Sequence, residues 1–318
     1  MRKNILILKL GALGDVVMAT GLIRLIQRHH GDCQHTLVTS PAYAGLFSSW
    51  SGLEIKTFDR KSLLSTLAVS LWIRRKQFLR VYDLQSNDRT ALICSLSGIP
   101  EKAGNHPRLP YNIHPDSYYT GKCHIHARMQ EILSAAGIPS GAADPCLPPA
   151  QADREIVSDW LKMRGLQHKK LVIMHAGASA GRPEKRWPHF SELAGYLADT
   201  GYLTVWIGAR DDRELNASLA RVTGVDASAA FSFTQLVALT EHARFVLAND
   251  SGPMHVLACG NIPVYGLFGP TNWRRNHAVG QRDRVLSLDR DGPDFRATRL
   301  QDLKADRVIR QLEQDGVL

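Results

Sequence analysis

The order of apolar runs, turns and amphipathic stretches limits the fold of this chain more than any other feature. Apolar runs typical of buried strands lie at residues 5–8, 36–39, 55–58, 79–84, 170–174, 202–207, 245–248 and 262–267. Helical spacing is found at residues 16–28, 88–96, 124–136, 154–163, 188–199, 211–221, 234–241 and 300–312. Strands that alternate with helices form parallel sheets covered on both faces, so the sequence predicts an α/β protein.

A proline-rich stretch divides this pattern into two similar halves. Residues 138–150 contain four prolines and little charge, which is typical of a linker. The sequence therefore predicts an N-terminal domain over residues 1–150 and a C-terminal domain over 151–318, with a ligand in the cleft between them. Residues 104–121 are rich in His, Pro, Asn and Tyr without a clear period, and they are predicted to form a long surface loop.

Charge and cysteine content narrow the classes of partner and the compartment. The net charge is +9, which attracts anions such as nucleic acid, acidic lipid or an acidic glycan. The five cysteines are scattered without a C-x-x-C pair, which favours reduced thiols in the cytoplasm. No apolar run reaches the roughly 20 residues that a membrane span needs. Lys9 and Asp15 interrupt the first apolar segment, so we expect no secretory signal.

The segment at residues 249–255, Asn-Asp-Ser-Gly-Pro-Met-His, stands between a predicted strand and a predicted short helix. A strand that turns into a helix at Ser251 and Gly252 presents free backbone N–H groups and the positive end of the helix dipole. Such a turn suits a phosphate group. The ligand is therefore predicted to be a nucleotide or another phosphate ester.

A second turn, at residues 11–15, joins the first strand to the first helix. It does not match G-x-G-x-x-G, and no acidic residue ends the second strand, so a dinucleotide site is not expected. Gly11 and Gly14 leave the turn open to close approach by a large substrate. Asp15 has two interpretations that the sequence leaves open, a helix N-cap and a general base.

Charged residues follow two strands of the second half. Lys185 and Arg186 precede a predicted helix, where they are either an anion site or a solvated pair. Asp211 and Asp212 follow the next strand. They either bind ribose hydroxyls or are acidic first-turn residues that the helix dipole favours. The D-x-D match at residues 289–291 is attributed to chance. The 13 histidines form no ligand motif, so no metal is predicted.

Taken together, three blocks resemble glycosyltransferase family nine, the lipopolysaccharide heptosyltransferases. The blocks are residues 9–16, residues 185–188, and residues 249–255 together with 268–271. The segment Asp-Leu-Gln at residues 83–85 is similar to a further family segment. The resemblance implies a GT-B architecture, two Rossmann-like, doubly wound domains that face a central cleft. In this architecture the last helix can pack back on the N-terminal domain.

The resemblance also implies roles for individual residues. Asp15 matches the catalytic base, and Gly11 and Gly14 belong to the acceptor side. The positions matched to donor binding are Lys185 for the phosphates, Asp212 for the ribose with Asp211 as competitor, Phe231 beside the adenine, and Ser179, Asp250, Ser251, Gly252 and His255. Ser179 is the one hydroxyl in a loop where the family often has threonine.

The implied reaction is inverting, metal-independent transfer of a sugar, usually heptose from ADP-heptose, to a lipopolysaccharide inner-core or related acceptor. ADP-heptose is then a co-substrate, and neither a cofactor nor a nucleic acid takes part. We expect a cytoplasmic protein with peripheral contact to the inner membrane. Part of a set of cations in the N-terminal half is expected to bind the anionic acceptor or the membrane surface, while any one of them can instead belong to a solvated helix face. The set is Arg24, Arg28, His29, His30, Arg74, Arg75, Lys76 and Arg80. The alternatives are a GT-B sugar-nucleotide epimerase or hydrolase, and a non-enzymatic nucleotide- or nucleic-acid-binding protein.

Overall fold

The computed structural model describes residues 3–59, 63–107, 110–117, 121–139, 141, 143–179 and 181–318. The chain divides into two compact units, Met1–Cys146 and Leu147–Leu318. The domain boundary predicted from the sequence lies between residues 150 and 151. Each unit is built on one sheet, and every pairing within both sheets is parallel.

The first unit contains a five-stranded sheet in the order β3-β2-β1-β4-β5. Its elements are β1 (Asn4–Leu8), α1 (Leu13–His29), β2 (Gln34–Thr39), β3 (Leu53–Thr57), α2 (Leu63–Lys76), β4 (Arg80–Asp83), α3 (Asp88–Leu96), β5 (Glu101–Ala103) and α4 (Ile125–Ala135). β1 lies at the centre of the sheet, and its residues from Ile5 to Leu8 are fully buried. A continuous apolar run is what a strand covered on both faces requires.

The second unit contains a six-stranded sheet in the order β11-β10-β9-β6-β7-β8. Its strands are β6 (Lys170–His175), β7 (Tyr202–Gly208), β8 (Val225–Ser228), β9 (Ala243–Asn249), β10 (Val264–Leu267) and β11 (Val285–Leu286). Its helices are α5 (Gln151–Met163), α6 (Phe190–Asp199), α7 (Arg213–Val222), α8 (Phe233–Thr240), α9 (Gly252–Leu257), α10 (Trp273–Asn276) and α11 (Ala305–Gln314). In both sheets the first strand of the unit pairs with the second and fourth strands, so each unit is Rossmann-like and doubly wound, as predicted.

Two predictions about the connecting segments need correction. Residues 143–146, expected in a linker, pack against α1: Cys146 N donates to Thr20 Oγ1, and a Cβ added to Gly21 would lie 2.2 Å from the Ala143 carbonyl oxygen. The expected surface loop contains the buried Tyr111, which joins the core of the first unit. The last helix α11 contributes Val308 to the core of the second unit, beside α6.

Candidate functional site

In the first unit, the predicted site residues follow β1 at the carboxyl edge of the sheet. β1 and β4 are adjacent, and the chain leaves them towards opposite sides of the sheet, so their carboxyl ends frame a crevice that commonly holds a ligand. The Lys9 ammonium bridges the two strand ends by donating to the Leu84 carbonyl oxygen at 3.0 Å. Lys9 is 2% exposed. Burial lowers the pKa of its ammonium, while the carboxylates of Asp15 and Asp83 oppose this shift.

A side-chain amide from the β4 turn holds the glycine turn after β1. Gln85 Oε1 accepts hydrogen bonds from the backbone N–H groups of Leu10 and Gly11, at 3.0 and 3.1 Å. Gly11 has φ 147°, a conformation that favours glycine. Gly14 is the second residue of α1 and is buried. The segment Asp-Leu-Gln therefore has a structural role in shaping the turn that precedes Asp15.

The structure decides against the N-cap interpretation of Asp15. The N-cap of α1 is Ala12, no side chain caps the helix, and Asp15 is its third residue. The Asp15 side chain is half-buried, and the Lys9 ammonium is close enough to interact with it electrostatically. A carboxylate that is not used as a cap, at the crevice of a parallel sheet, is available for chemistry.

A buried carboxylate at the end of β4 supports the Gln85 segment. Asp83 Oδ1 accepts from the backbone N–H groups of Gln85 and Ser86, at 3.0 and 2.7 Å, and Asp83 Oδ2 accepts from the Tyr111 hydroxyl at 2.6 Å. Burial raises the pKa of Asp83, and these hydrogen bonds oppose that shift. Cys94 Sγ lies 4.0 Å from Asp83 Oδ2, and burial raises the pKa of this thiol well above its ordinary value. Tyr111 was not predicted as a buried partner of this site, because the segment around it has no periodic pattern.

Tyr111→Phe is expected to lower the free energy of unfolding by about 1–3 kcal/mol, since it leaves the buried Asp83 carboxylate short of one hydrogen-bond donor. Chemical denaturation measures the change. Tyr196→Phe is the matched control, because its hydroxyl bonds to Glu313 at the surface, where water replaces the lost bond and no measurable change in stability is expected. Equal stability of the two variants would contradict the proposed support.

In the second unit, one buried amide ties together the segments that carry the predicted donor residues. Asn249, the last residue of β9, is fully buried. Its Nδ2 donates to the carbonyl oxygens of Ala176 and Gly177 after β6, and its Oδ1 accepts from the backbone N–H of Trp187. The adjacent strands β6 and β9 thus form the crevice of this sheet, as β1 and β4 do in the first unit.

Lys185 is paired and is not solvated. Its Nζ lies 2.7 Å from Asp250 Oδ2, and the side chains are 17% and 8% exposed. The same carboxylate oxygen accepts from the Thr271 hydroxyl at 2.6 Å. Lys185 ends a short 3-10 helix, Pro183–Lys185, while α6 begins only at Phe190. Thr271 belongs to the block at residues 268–271. Its hydrogen bond to Asp250 was not predicted from the sequence.

Asp212, not Asp211, faces the crevice. Asp211 is exposed, whereas Asp212 is 7% exposed and its Oδ2 lies 3.9 Å from His175 Nε2. Arg186 Nη2 lies 3.9 Å from the other Asp212 oxygen. Asp212 also accepts a hydrogen bond from the backbone N–H of Ala209. The alternative that it is an acidic first-turn residue with a structural role therefore holds in part. Burial lowers the pKa of His175 to about 4; the Asp212 carboxylate opposes this shift and Arg186 adds to it, so His175 is neutral near pH 7.

The remaining donor candidates lie at different distances from this cluster. Ser251 Oγ lies 3.1 Å from His175 Nδ1, so it belongs to the cluster. Gly252 begins α9, which has only six residues, and His255 is buried within it. Ser179 is exposed in the loop after β6. Phe231 follows β8 at the far edge of the sheet, and its ring packs against Trp160 of α5 with centroids 5.0 Å apart.

Two cations assigned to acceptor binding are engaged elsewhere. Arg80 is paired with Glu101 and donates to the Tyr82 hydroxyl at 3.0 Å, and His30 Nε2 lies 2.8 Å from that same hydroxyl. Burial first, then His29 and Arg80, lower the pKa of His30 to about 4, so it is neutral near pH 7. β4 begins at Arg80, so this cluster lies at the sheet edge opposite to Asp15. His30 and Arg80 therefore do not serve as free surface cations.

Metal sites and membrane-spanning helices each have a recognisable geometry. In the described ranges of the chain, no three His, Cys, Asp or Glu side chains come together as a metal site. None of the helices in that same part of the chain has both the length and the apolar character of a membrane span.

Sequence comparison finds relatives among sugar transferases. Residues 67–304, about three quarters of the chain, match the family model Glycosyltransferase family 9 (heptosyltransferase). The chain is 26% identical over 235 residues to lipopolysaccharide heptosyltransferase 2 of Escherichia coli strain K12, covering 68% of this chain and 67% of that protein. It is 24% identical over 302 residues to the lipopolysaccharide core heptosyltransferase OpsX of Haemophilus influenzae, covering 90% and 84%.

Solved structures share the fold over both units. The glycosyltransferase family 9 protein of Veillonella parvula DSM 2008 superposes with a TM-score of 0.81 at 21% identity, covering 98% of this chain and 96% of that one. The E. coli ADP-heptose heptosyltransferase II gives 0.76 at 20% identity, with coverages of 99% and 98%. The predicted GT-B fold class is thereby confirmed. The chain belongs to glycosyltransferase family 9, the heptosyltransferase family, and is a glycosyltransferase.

Proposed function

We propose that this glycosyltransferase transfers heptose from ADP-heptose to a lipopolysaccharide inner-core or related glycan acceptor, with inversion and without a metal. The observation that carries the proposal is the cluster of Lys185, Asp250, Ser251, His175 and Asp212 at the crevice of the second sheet. It offers an ammonium for a diphosphate and a buried carboxylate for a ribose. Structures of the similar E. coli heptosyltransferase WaaC have been solved with ADP and with ADP-2-deoxy-2-fluoro heptose.

The proposed donor contacts follow from the hydrogen-bonding capacity of each group. The Lys185 ammonium has three N–H donors and gives two to Asp250, one to Oδ2 at 2.7 Å and one to the backbone carbonyl oxygen at 3.4 Å, so the third can reach a phosphate. One Asp212 carboxylate oxygen bonds to Ala209, while the other is left for the ribose hydroxyls. Ser179, Gly252 and His255 complete the proposed phosphate side, and Phe231 the adenine side.

In the proposed mechanism, Asp15 takes the proton of the acceptor hydroxyl while its oxygen attacks the anomeric carbon from the face opposite to the leaving group. The bond from this carbon to the β-phosphate oxygen breaks, and ADP leaves with the bonding electrons. Lys185 stabilises the negative charge that grows on the diphosphate. Gly11 and Gly14 let the acceptor approach the backbone closely. A lipid-linked acceptor would be reached from the cytoplasm through peripheral contact with the inner membrane.

A nucleotide panel followed by product analysis tests the proposal. At equal concentration, ADP should raise the melting temperature more than UDP or GDP, because tighter binding stabilises the folded state more. With ADP-heptose and a heptose-free core acceptor, the glycosylated product should have the inverted anomeric configuration and form in the presence of EDTA. Release of free heptose at the same rate without acceptor would identify a hydrolase instead.

Gly177→Ala is expected to weaken ADP binding by about 10- to 100-fold, the effect of losing a hydrogen bond to a charged group. A Cβ at residue 177 would lie 2.3 Å from Asp212 Oδ1, so the carboxylate must move. Gly181→Ala is the matched control in the same loop, because its Cβ would have no neighbour within 4 Å. Calorimetry with ADP measures both. Equal affinities would remove Asp212 from the ribose site.

A further inference from the structure

Helix α2 of the first unit carries apolar side chains on both its buried side and its exposed side. Its buried side is formed by Thr66, Val69, Ser70 and Ile73. Its exposed side is formed by Leu64, Leu67 and Leu71, with Leu64 77% exposed. The spacing of three and four residues places these leucines in one stripe along the helix. The helix thus buries two hydroxyl residues and presents its leucines outwards.

The neighbouring helix α3 extends the exposed apolar area. α3 packs beside α2 and exposes Leu92 and Leu96, which are one helical turn apart. We call the leucines at positions 64, 67, 71, 92 and 96 the leucine face. Single exposed apolar residues are ordinary, but a group of five on two adjacent helices marks a surface that meets an apolar partner.

Cations accompany the leucine face and indicate the charge of that partner. α2 ends in Arg74, Arg75 and Lys76, all exposed. Arg74 lies beside the end of α3, since a Cβ at Gly98 would be 3.8 Å from its Nε. The first unit has 17 lysines and arginines against 10 aspartates and glutamates, a net charge of +7 out of the +9 of the whole chain.

We infer that the leucine face docks on an anionic lipid surface, with α2 lying in the plane of the interface. Leucines that insert between headgroups, next to cations that meet acidic lipids, are the two components of an interfacial helix. A second copy of the chain fits this surface less well, because the unit that bears the leucine face has a net charge of +7 and two such units repel each other. The inference deepens the proposed function, since a lipid-linked acceptor is reached at such a surface. Docking itself is measurable without donor or acceptor.

Cosedimentation of the full chain with vesicles tests the inference. Vesicles of phosphatidylcholine and phosphatidylglycerol in a three-to-one ratio should bind the protein, and pure phosphatidylcholine should bind it much more weakly. The variant Leu64→Gln/Leu67→Gln/Leu71→Gln should lower the partition coefficient by about 100-fold, as partial burial of each leucine is worth about five-fold. Arg74→Gln/Arg75→Gln/Lys76→Gln should lower it by a similar factor, at about five-fold for each cation.

The matched control removes exposed apolar residues elsewhere. Ile156 and Met163 are exposed on α5 of the second unit, so Ile156→Gln/Met163→Gln should bind the mixed vesicles like the unchanged protein. With a deacylated, water-soluble acceptor, the leucine variant should keep its kcat/KM. The inference is overturned if the mixed vesicles do not bind, if the leucine variant binds them as well as the unchanged protein, or if it only abolishes a dimer seen in sedimentation velocity. Failure of the proposed sugar transfer would leave the vesicle result intact.

Discussion

Asp15→Asn is expected to lower kcat by about 10²–10⁴-fold, the usual contribution of a positioned general base, while ADP affinity stays unchanged. Asparagine has nearly the same shape as aspartate but cannot take the acceptor proton. The side chain caps no helix, so the loss should not come from unfolding of α1. Steady-state kinetics with saturating donor and acceptor give kcat, and calorimetry with ADP gives the affinity.

A second acidic residue in a first turn separates base chemistry from helix-dipole effects. Asp88 begins α3 in the same unit, and Asp88→Asn should change kcat by less than about two-fold, since an exposed first-turn charge affects mainly stability. If Asp15→Asn retained full turnover, or if both variants lost turnover equally, Asp15 would not be the base.

Lys185→Ala is expected to weaken ADP binding by about 10- to 100-fold, because one charge-assisted contact to the diphosphate is lost. It should also lower the free energy of unfolding by up to about 3 kcal/mol, since it leaves the Asp250 carboxylate without its cation. Calorimetry with ADP and denaturation without ligand measure the two effects separately.

A double variant distinguishes binding from folding. Lys185→Ala/Asp250→Asn removes the unpaired charge, so it should recover stability and still bind ADP weakly. Arg182→Ala, an exposed cation of the same loop paired with Glu184, should affect neither quantity. Recovery of ADP affinity in the double variant would mean that Lys185 only neutralises Asp250, and the proposed phosphate contact would be wrong.

The central strands could be predicted from sequence, whereas the short edge strands could not. β1, β6 and β9 are apolar runs because both faces of each strand are covered by helices. β5 reads Glu-Lys-Ala and β11 has only two residues, so neither contains a recognisable apolar pattern. Periodicity detects burial, and these two edge strands are too short or too polar to show it.

Helix α2 was missed for a different reason. No element was predicted for residues 63–76, because apolar residues at most positions hide the face that packs on the core. In the structure Val69 and Ile73 face the core beside Thr66 and Ser70, while the leucines face outwards. The usual pattern of a surface helix has apolar residues on the core side and polar residues on the side that faces water. It does not identify a helix that has apolar residues on its outer side as well.

The candidate site was predicted as separate motifs and not as a geometry. The blocks around Asp15, Lys185 and residues 249–255 lie at strand ends, where local patterns place them. The bonds that organise these blocks run from Gln85 to Gly11 and from Thr271 to Asp250, over 74 and 21 residues of sequence. Such long-range partners depend on the order of strands in each sheet, which no single segment encodes.

The environment of Cys94 provides a reporter for opening of the first unit. Its thiol is buried beside Asp83 and has a raised pKa, so very little thiolate is present and accessible at neutral pH. Alkylating reagents attack the thiolate, and they should therefore modify Cys94 only when the Asp83–Tyr111 contact has opened. Pulsed alkylation read by peptide mass spectrometry would then follow local opening of this unit during catalysis, without any introduced label.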